Sequence, residues 1–245
     1  MSVESKGNTN QRPHIICHME TSINGKSMGP FMGMPQRAAL ARAYDETFLS
    51  LGSQAWLCGR VTMAHFAGSG EPVFDAEAPR VPREDFVADT AARDFVVAVD
   101  PSGKLPWRQN SVRFHLRPRA HLIEVLTDRA SDDYVAYLNQ RGISYVFAGS
   151  DVLDLPLAAR KLHDLFGIQV LTVSGGPTIN GSFLHAGLID EISLVMAPLM
   201  DDATDTPTAF LRAPDLPSQP PRQYELKSAQ ALPNDILWVR YGANS

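Results

Sequence analysis

Three features of the sequence predict an α/β protein with a mixed, mostly parallel sheet flanked by helices and with antiparallel strands at its C-terminal edge. Beyond residue 120, short apolar runs alternate with helix-length amphipathic stretches, the pattern of strands joined by helical crossovers. Runs such as Phe95-Val96-Val97-Ala98-Val99 are apolar at every position, as strands covered on both faces are. The last two runs are joined by Leu232-Pro233-Asn234-Asp235, a turn too short for a crossover, so they pair antiparallel.

The elements follow in order. Residues 1–12 are polar and read as a flexible tail ahead of a single domain over 13–245. A first strand at 14–19 runs into a loop of small residues, Ser22-Ile23-Asn24-Gly25-Lys26-Ser27, with Gly29, Pro30 and Gly33 beyond. Pro35 opens a helix in which Leu40, Tyr44, Phe48 and Leu51 recur at helical spacing, and Gly52 ends it. Ala55-Trp56-Leu57-Cys58 is a second strand, and Gly59-Arg60-Val61-Thr62 turns it into a helical segment that ends near Gly68. Residues 68–90 carry no period and form a long surface excursion, an ordered insert or a loop that rims a pocket. After a strand at 95–99, residues 101–119 are irregular. Strands at 121–126, 145–148, 170–173 and 192–197 then alternate with helices at 132–140, 156–166 and 177–185, and strands at 223–229 and 236–241 close the chain.

Composition removes several classes of function. The chain has 245 residues, 44% hydrophobic and 20% charged, which excludes a disordered or fibrous protein. Lys and Arg number 22 against 27 Asp and Glu, for a net charge of -5 and a pI near 5.8. With no basic stripe, this opposes nucleic-acid binding. No apolar run approaches the roughly 18 residues that span a bilayer, and the polar N-terminus lacks the apolar centre of a secretory signal. A cytoplasmic protein without a membrane partner is therefore expected. Cys17 and Cys58 lie in apolar strand text and are expected as buried, reduced thiols. The histidines show no metal-ligand spacing, so no metal is expected.

The strongest local signal is Val173-Ser174-Gly175-Gly176-Pro177-Thr178-Ile179-Asn180-Gly181. A buried strand ends, two glycines let the backbone approach a ligand, and Pro177 suits the first position of a helix. The partial positive charge of that helix start makes an anion cradle suited to a pyrophosphate; a tight structural turn is the other use of the same text. Cys58-Gly59-Arg60-Val61-Thr62 repeats the layout, with an arginine able to meet a phosphate bidentately or to stand solvated on a first turn. Two such junctions favour a dinucleotide. Thr21-Ser22-Ile23-Asn24-Gly25 sets small polar groups beyond a strand end, suited to a flat ring, though an Asn-Gly turn is common by itself.

Other matches fail. Gly25-Lys26-Ser27 ends like a Walker A loop, but the required first glycine falls on Glu20. His18-Met19-Glu20 matches the H-x-E of zinc deaminases without their P-C-x-x-C, which leaves His18 as a core or pocket-edge residue. G-x-G-x-x-G and G-x-S-x-G are both absent. Trp56 and Trp107 are expected to pack in core and loop, and Asp190-Glu191 to form a turn with solvated charges.

Taken in order, strand–Ser22-x-Asn24-Gly25, Gly59-Arg60-x-Thr62, Ser174-Gly175-Gly176-Pro177-Thr178-Ile179-Asn180 and Gly187-Leu188-Ile189-Asp190-Glu191-Ile192-Ser193-Leu194 resemble the dihydrofolate-reductase-like superfamily. More closely, they resemble the reductase domain of bifunctional riboflavin-biosynthesis proteins, the pyrimidine reductase family. The similarity covers about residues 13 to 242. It implies a dihydrofolate-reductase-like mixed sheet of eight or nine strands, NADPH as hydride donor, and often a homodimer. By the same resemblance, Ser174, Gly175, Gly176, Pro177, Thr178 and Ile179 meet the cofactor pyrophosphate, and Gly59, Arg60 and Thr62 its adenosine-phosphate side. Thr21 and Ser102 approach the cofactor, and Ser22, Asn24 and Ser174 fall to the substrate.

Two positions depart from the family. Its loop usually reads Ser-x-Asp-Gly, where this chain has Asn24, and its residue before the paired glycines is usually Glu, where this chain has Ser174. Backbone amides would hold the cofactor despite both changes; the substrate is what they affect. The resemblance thus implies an NADPH-dependent reductase of 5-amino-6-(5-phosphoribosylamino)uracil, in which hydride reaches the ring-opened ribosylamine carbon. A reductase of another conjugated imine or alkene, and a nucleotide-binding module without turnover, remain alternatives. Asn24 is no acid, and no residue is assigned as proton donor. The guanidinium of Arg60 suits the 2′-phosphate that separates NADPH from NADH.

Overall fold

The computed structural model describes residues 11–244. Its strands are β1 His14–Thr21, β2 Ala55–Gly59, β3 Phe95–Val99, β4 Ser111–Val112, β5 Ala120–Leu126, β6 Ser144–Phe147, β7 Val170–Val173, β8 Glu191–Met196, β9 Tyr224–Leu232 and β10 Ile236–Ala243. Its α-helices are α1 Arg37–Ser50, α2 Arg60–Ala67, α3 Asp132–Gln140, α4 Leu155–Phe166 and α5 Pro177–His185. Helix boundaries follow local chemistry. Ser131 accepts the Tyr134 N–H at the start of α3, where Asp132 and Asp133 meet the positive end of the helix dipole. Asp154 caps α4 in the same way, and Gly167 ends that helix in the left-handed conformation.

One sheet holds all ten strands in the order β4-β5-β3-β2-β7-β1-β8-β10-β9, with β6 also paired to β5. The pairs among β1, β2, β3, β5, β6, β7 and β8 are parallel. Those of β10 with β8 and β9, and of β4 with β5, are antiparallel. This is the mixed sheet that the sequence predicts, with ten strands rather than eight or nine because the two-residue β4 lies inside the stretch expected to be irregular.

Alternation along each strand feeds two layers. Ala55, Leu57, Val97 and Val99 join a core with Ala158 and Leu162 of α4 and Phe183 of α5. Trp56, Cys58, Val96 and Ala98 point the other way, to Met63 of α2 and Tyr134 and Leu138 of α3. Burying each large apolar side chain contributes about 1.5–3 kcal/mol, which explains why these runs are apolar throughout. Helix α1 packs through Leu40 and Ala43 on Val195 and Ile236.

Several expectations need correcting. Helix α1 begins at Arg37, because a 3-10 turn over Pro30–Gly33 occupies the chain before it. Strand β9 extends to Leu232, and the following turn places Asn234 and Asp235 at positive φ, which those side chains tolerate. The later part of the excursion is an ordered insert, while Gly68 and Ser69 at its start line a hollow beside Trp107. Phe86 pairs with Tyr145 of β6, Asp85 accepts the Phe147 N–H at 2.9 Å and bridges Lys161 at 2.7 Å, and Arg83 bridges Asp132 at 2.7 Å. It covers the outer edge of β6, which would otherwise offer unpaired N–H and C=O groups.

Asp190 and Glu191 are not solvated turn charges. Asp190 accepts from Arg12 and from the Ile15 N–H, and buried Glu191 is bridged by Lys227 and Arg240. The expected tail lies mostly outside the described residues, but Arg12 is tied to Asp190. Cys17 and Cys58 are buried free thiols. Among the described residues no helix is long and apolar enough to cross a membrane.

Candidate functional site

Strand β7 lies between β1 and β2, and the chain leaves β2 for β3 on one side and β7 for β8 on the other. Such a reversal of strand order opens a crevice beyond the C-terminal strand ends. The junctions singled out from sequence meet here. Gly59 ends β2 and precedes α2, and Gly176 directly precedes α5. The Gly59 N–H donates to the Gly175 carbonyl at 3.0 Å, and the Ser174 N–H to the Leu57 carbonyl at 2.8 Å. Cys58 Sγ adds a contact to the Ser174 carbonyl at 3.4 Å. The N-termini of α2 and α5 therefore sit side by side.

Neither of these helices has a side-chain cap, whereas α3 and α4 both do. First-turn N–H groups without an internal partner are an anion site. Glycine keeps the junction open. A Cβ on Gly176 would sit 3.4 Å from Thr62 Oγ1, one on Gly175 3.6 Å from Met19, and one on Gly59 3.5 Å from Ile179. Gly175 also holds φ +102°, a region that L side chains avoid; the Gly175–Gly176 peptide is cis. These residues fit a phosphate group. Thr178 is exposed on the first turn of α5, beside partly buried Ile179.

Arg60 stands on the first turn of α2, half exposed, with Nε 3.8 Å from Asp100 Oδ1. Asp100 is buried at the end of β3 and accepts the Lys104 and Leu105 N–H groups, which shapes the turn that carries Ser102. Burial pushes its carboxyl above the usual range, against those two N–H donors and the charges of Arg60 and Lys104.

Beside the cradle opens a cleft of about 200 Å³. Ser174, Gly175, Gly176, Pro177 and Thr62 form one part of its wall; Met19, Tyr44, Trp56, Phe66 and Phe114 form an apolar part. Two charged residues reach it, Glu20 and Arg117. Both Glu20 oxygens engage Arg37, at 2.9 Å each, yet burial outweighs that partner and holds the carboxyl above its usual range. Burial likewise pushes the Tyr44 hydroxyl up to about 12, and it donates to the His18 carbonyl at 3.0 Å.

The remaining predicted residues divide. The Oγ atoms of Thr21 and Ser174 are buried without a hydrogen-bond partner among the described residues. Thr21, Ser22 and Asn24 are not brought into the cleft wall. Ser22 Oγ donates to Asn24 Oδ1 at 2.7 Å, and Asn24 Nδ2 donates to the Asp201 carbonyl at 2.6 Å, so the pair clamps its loop to residue 201. His18 is a core residue, hydrogen-bonded to Ser193 and to the Tyr44 carbonyl. Trp107 is buried in the core, while Trp56 serves core and cleft together. Sequence reasoning missed Glu20 and Arg117. A carboxylate inside the otherwise buried β1 text is a signal that could have found Glu20; Arg117, in an aperiodic stretch, leaves none.

Fold and site together define an α/β protein that presents two adjoining helix N-termini without side-chain caps and an aromatic cleft at the switch point of its sheet. The chain belongs to the RibD C-terminal domain family, whose model matches residues 13–238. It is 34% identical over 93 residues to the 2,5-diamino-6-ribosylamino-4(3H)-pyrimidinone 5′-phosphate reductase of Methanothermobacter thermautotrophicus, a stretch covering 38% of this chain and 42% of that protein. The match thus spans about two-fifths of the relative's length. Among solved structures, a pyrimidine reductase-like protein of Corynebacterium diphtheriae superposes with a TM-score of 0.61 at 18% identity, over 95% of this chain and 92% of that one. The riboflavin biosynthesis reductase of Saccharomyces cerevisiae gives 0.56 at 12% identity, over 98% and 93%. Both likenesses concern the fold.

Proposed function

We propose that the protein is an NADPH-dependent reductase whose acceptor is a ribosylaminopyrimidine phosphate of the kind named for its Methanothermobacter relative. The observation that carries the reading is the Gly59–Gly175 junction, which sets two uncapped helix N-termini side by side at the mouth of an aromatic cleft. The amides from Gly175 to Ile179, with Pro177 opening the helix, would hold the pyrophosphate, and Thr62 Oγ1 lies beside Gly176 to join them. Arg60, half exposed on the first turn of α2 beside Asp100, would receive the 2′-phosphate, with Ser102 on the turn after β3. When bound, the reduced nicotinamide supplies the hydride.

The chain's own part is placement and exclusion of water. Tyr44, Trp56, Phe66 and Phe114 give the cleft rigid apolar walls. Ser174 lines the cleft and would face the acceptor. A homodimer belongs to the same proposal, because β9 is exposed at seven successive positions and so leaves an edge for a second chain to cover.

A second reading keeps the reductase and changes the acceptor to another conjugated imine or alkene. It is favoured by the commitment of the Asn24 amide to Asp201 and by the short reach of Ser174. The test is NADPH oxidation with the ribosylaminopyrimidine phosphate, run beside a binding titration. Turnover supports the first reading. Binding with turnover only on other imines or alkenes supports the second. Binding without oxidation across such a panel leaves a nucleotide-binding module, and no binding overturns all of these.

A further inference from the structure

The cleft contains one cation that the cradle does not explain. Arg117 is 3% exposed, and a guanidinium keeps its charge even when buried. Its Nε donates to Asp45 Oδ1 at 3.3 Å, while the other Asp45 oxygen is engaged by His115 at 3.0 Å. Nη1 and Nη2 have no hydrogen-bond partner among the described residues. Glu20 lines the same cleft but has both oxygens on Arg37, so it does not fill the fork. Asp45 pairs the charge, but buried donors are nearly always satisfied, and both terminal nitrogens are left without an acceptor.

The fork is also fixed in place. The guanidinium carbon lies 3.8 Å from the centre of the Phe48 ring, with Trp56 at 5.2 Å and Tyr44 and Phe114 at 5.3 Å. These rings hold its plane by cation–π contact. Two parallel N–H donors on a rigid plane match the two oxygens of a carboxylate or a phosphate. A purely structural plug would need only the rings and Asp45, and it would not leave both terminal nitrogens unmatched on a residue that lines the cleft.

We infer that Arg117 is the specificity-determining residue of the cleft and that it binds an oxyanion, phosphate or carboxylate, carried by the acceptor. The inference rests on the reductase reading for the word acceptor, but not for the anion site itself. The test measures binding of two probe pairs by calorimetry: ribose 5-phosphate against ribose, and benzoate against benzamide. At least one charged probe should bind about tenfold or more tightly than its neutral counterpart, the scale of a hydrogen-bonded charge. The pair that shows the gap identifies the oxyanion.

Arg117→Lys, which keeps the charge and loses the fork, should shrink that gap and leave NADPH affinity unchanged. Arg117→Met, whose unbranched chain packs on the same rings, is the second variant. Equal binding within both pairs in the unaltered protein overturns the inference, as does a gap that survives both substitutions. If neither variant folds, the comparison in the unaltered protein decides. Absence of NADPH binding together with a clear charged-probe gap would remove the reductase reading and leave the anion site standing.

Discussion

The backbone N–H of Gly59 donates to the carbonyl of Gly175 at 3.0 Å, although 116 positions separate them. That bond fastens the start of one crossover to the start of another. It brings two helix N-termini to one mouth, and the position of every proposed cofactor contact depends on it.

Gly176 lies at φ -63°, ψ -179°, a conformation open to any residue, but a Cβ there would approach Thr62 Oγ1 to 3.4 Å. Gly176→Ala should therefore keep its fold and lose NADPH affinity by about tenfold. Gly175→Ala should also lose stability, by about 1–2 kcal/mol, because Gly175 has positive φ. Thermal melts and a cofactor titration of both variants check this; full affinity in Gly176→Ala would put the pyrophosphate elsewhere.

Arg60 is half exposed beside Asp100, so removing it should leave the fold intact. Arg60→Ala should weaken NADPH by about tenfold or more and NADH much less, as expected on losing one charged hydrogen-bond partner. Equal weakening of the two cofactors would remove the 2′-phosphate contact.

Burial pushes the imidazole of His18 down to about 3 from 6.5, against its bonds to the Tyr44 carbonyl and Ser193. The unfolded chain takes up a proton below 6.5, while the folded one stays neutral until about 3. Stability from this group is therefore full above pH 6.5 and lost as pH falls toward 3, by up to about 1.4 kcal/mol per pH unit. Denaturant melts from pH 7 to pH 4 should show a flatter acid limb for His18→Gln than for the unaltered protein. Identical slopes would contradict it.

Glu124 is fully buried; burial pushes its carboxyl well above the usual range, as does the nearby Asp100, against the Trp107 indole N–H that donates to it. Burial therefore favours the neutral carboxyl over the charged one more than water does. Glu124→Gln should cost little, since the amide oxygen still accepts from Trp107. Trp107→Phe should cost about 1–3 kcal/mol, the scale of a buried polar group left without its partner. Equal losses in the two variants would contradict this.

The sheet was legible because burial on both faces forces apolar runs such as 95–99, and the short link before Ile236 forces an antiparallel pair. The two strand-to-helix junctions were legible because glycine and proline mark backbone demands at fixed positions. Arg117 was not, since its environment is assembled from α1, β2 and an aperiodic stretch far apart in sequence. Asn24 illustrates the opposite failure: its position beside a strand end suggested a ligand contact, whereas its amide is engaged by Asp201 across 177 positions. Asp190 and Glu191 looked like a surface turn because their partners, Arg12, Lys227 and Arg240, lie on remote segments.

The most direct test of the cradle is a crystal structure of the protein saturated with NADPH. The pyrophosphate oxygens should lie about 3 Å from backbone nitrogens in the stretch from Gly175 to Ile179, with the nicotinamide ring in the cleft between Met19 and Tyr44. A cofactor seated away from those glycines, or saturated crystals with none at the strand ends, would contradict the account.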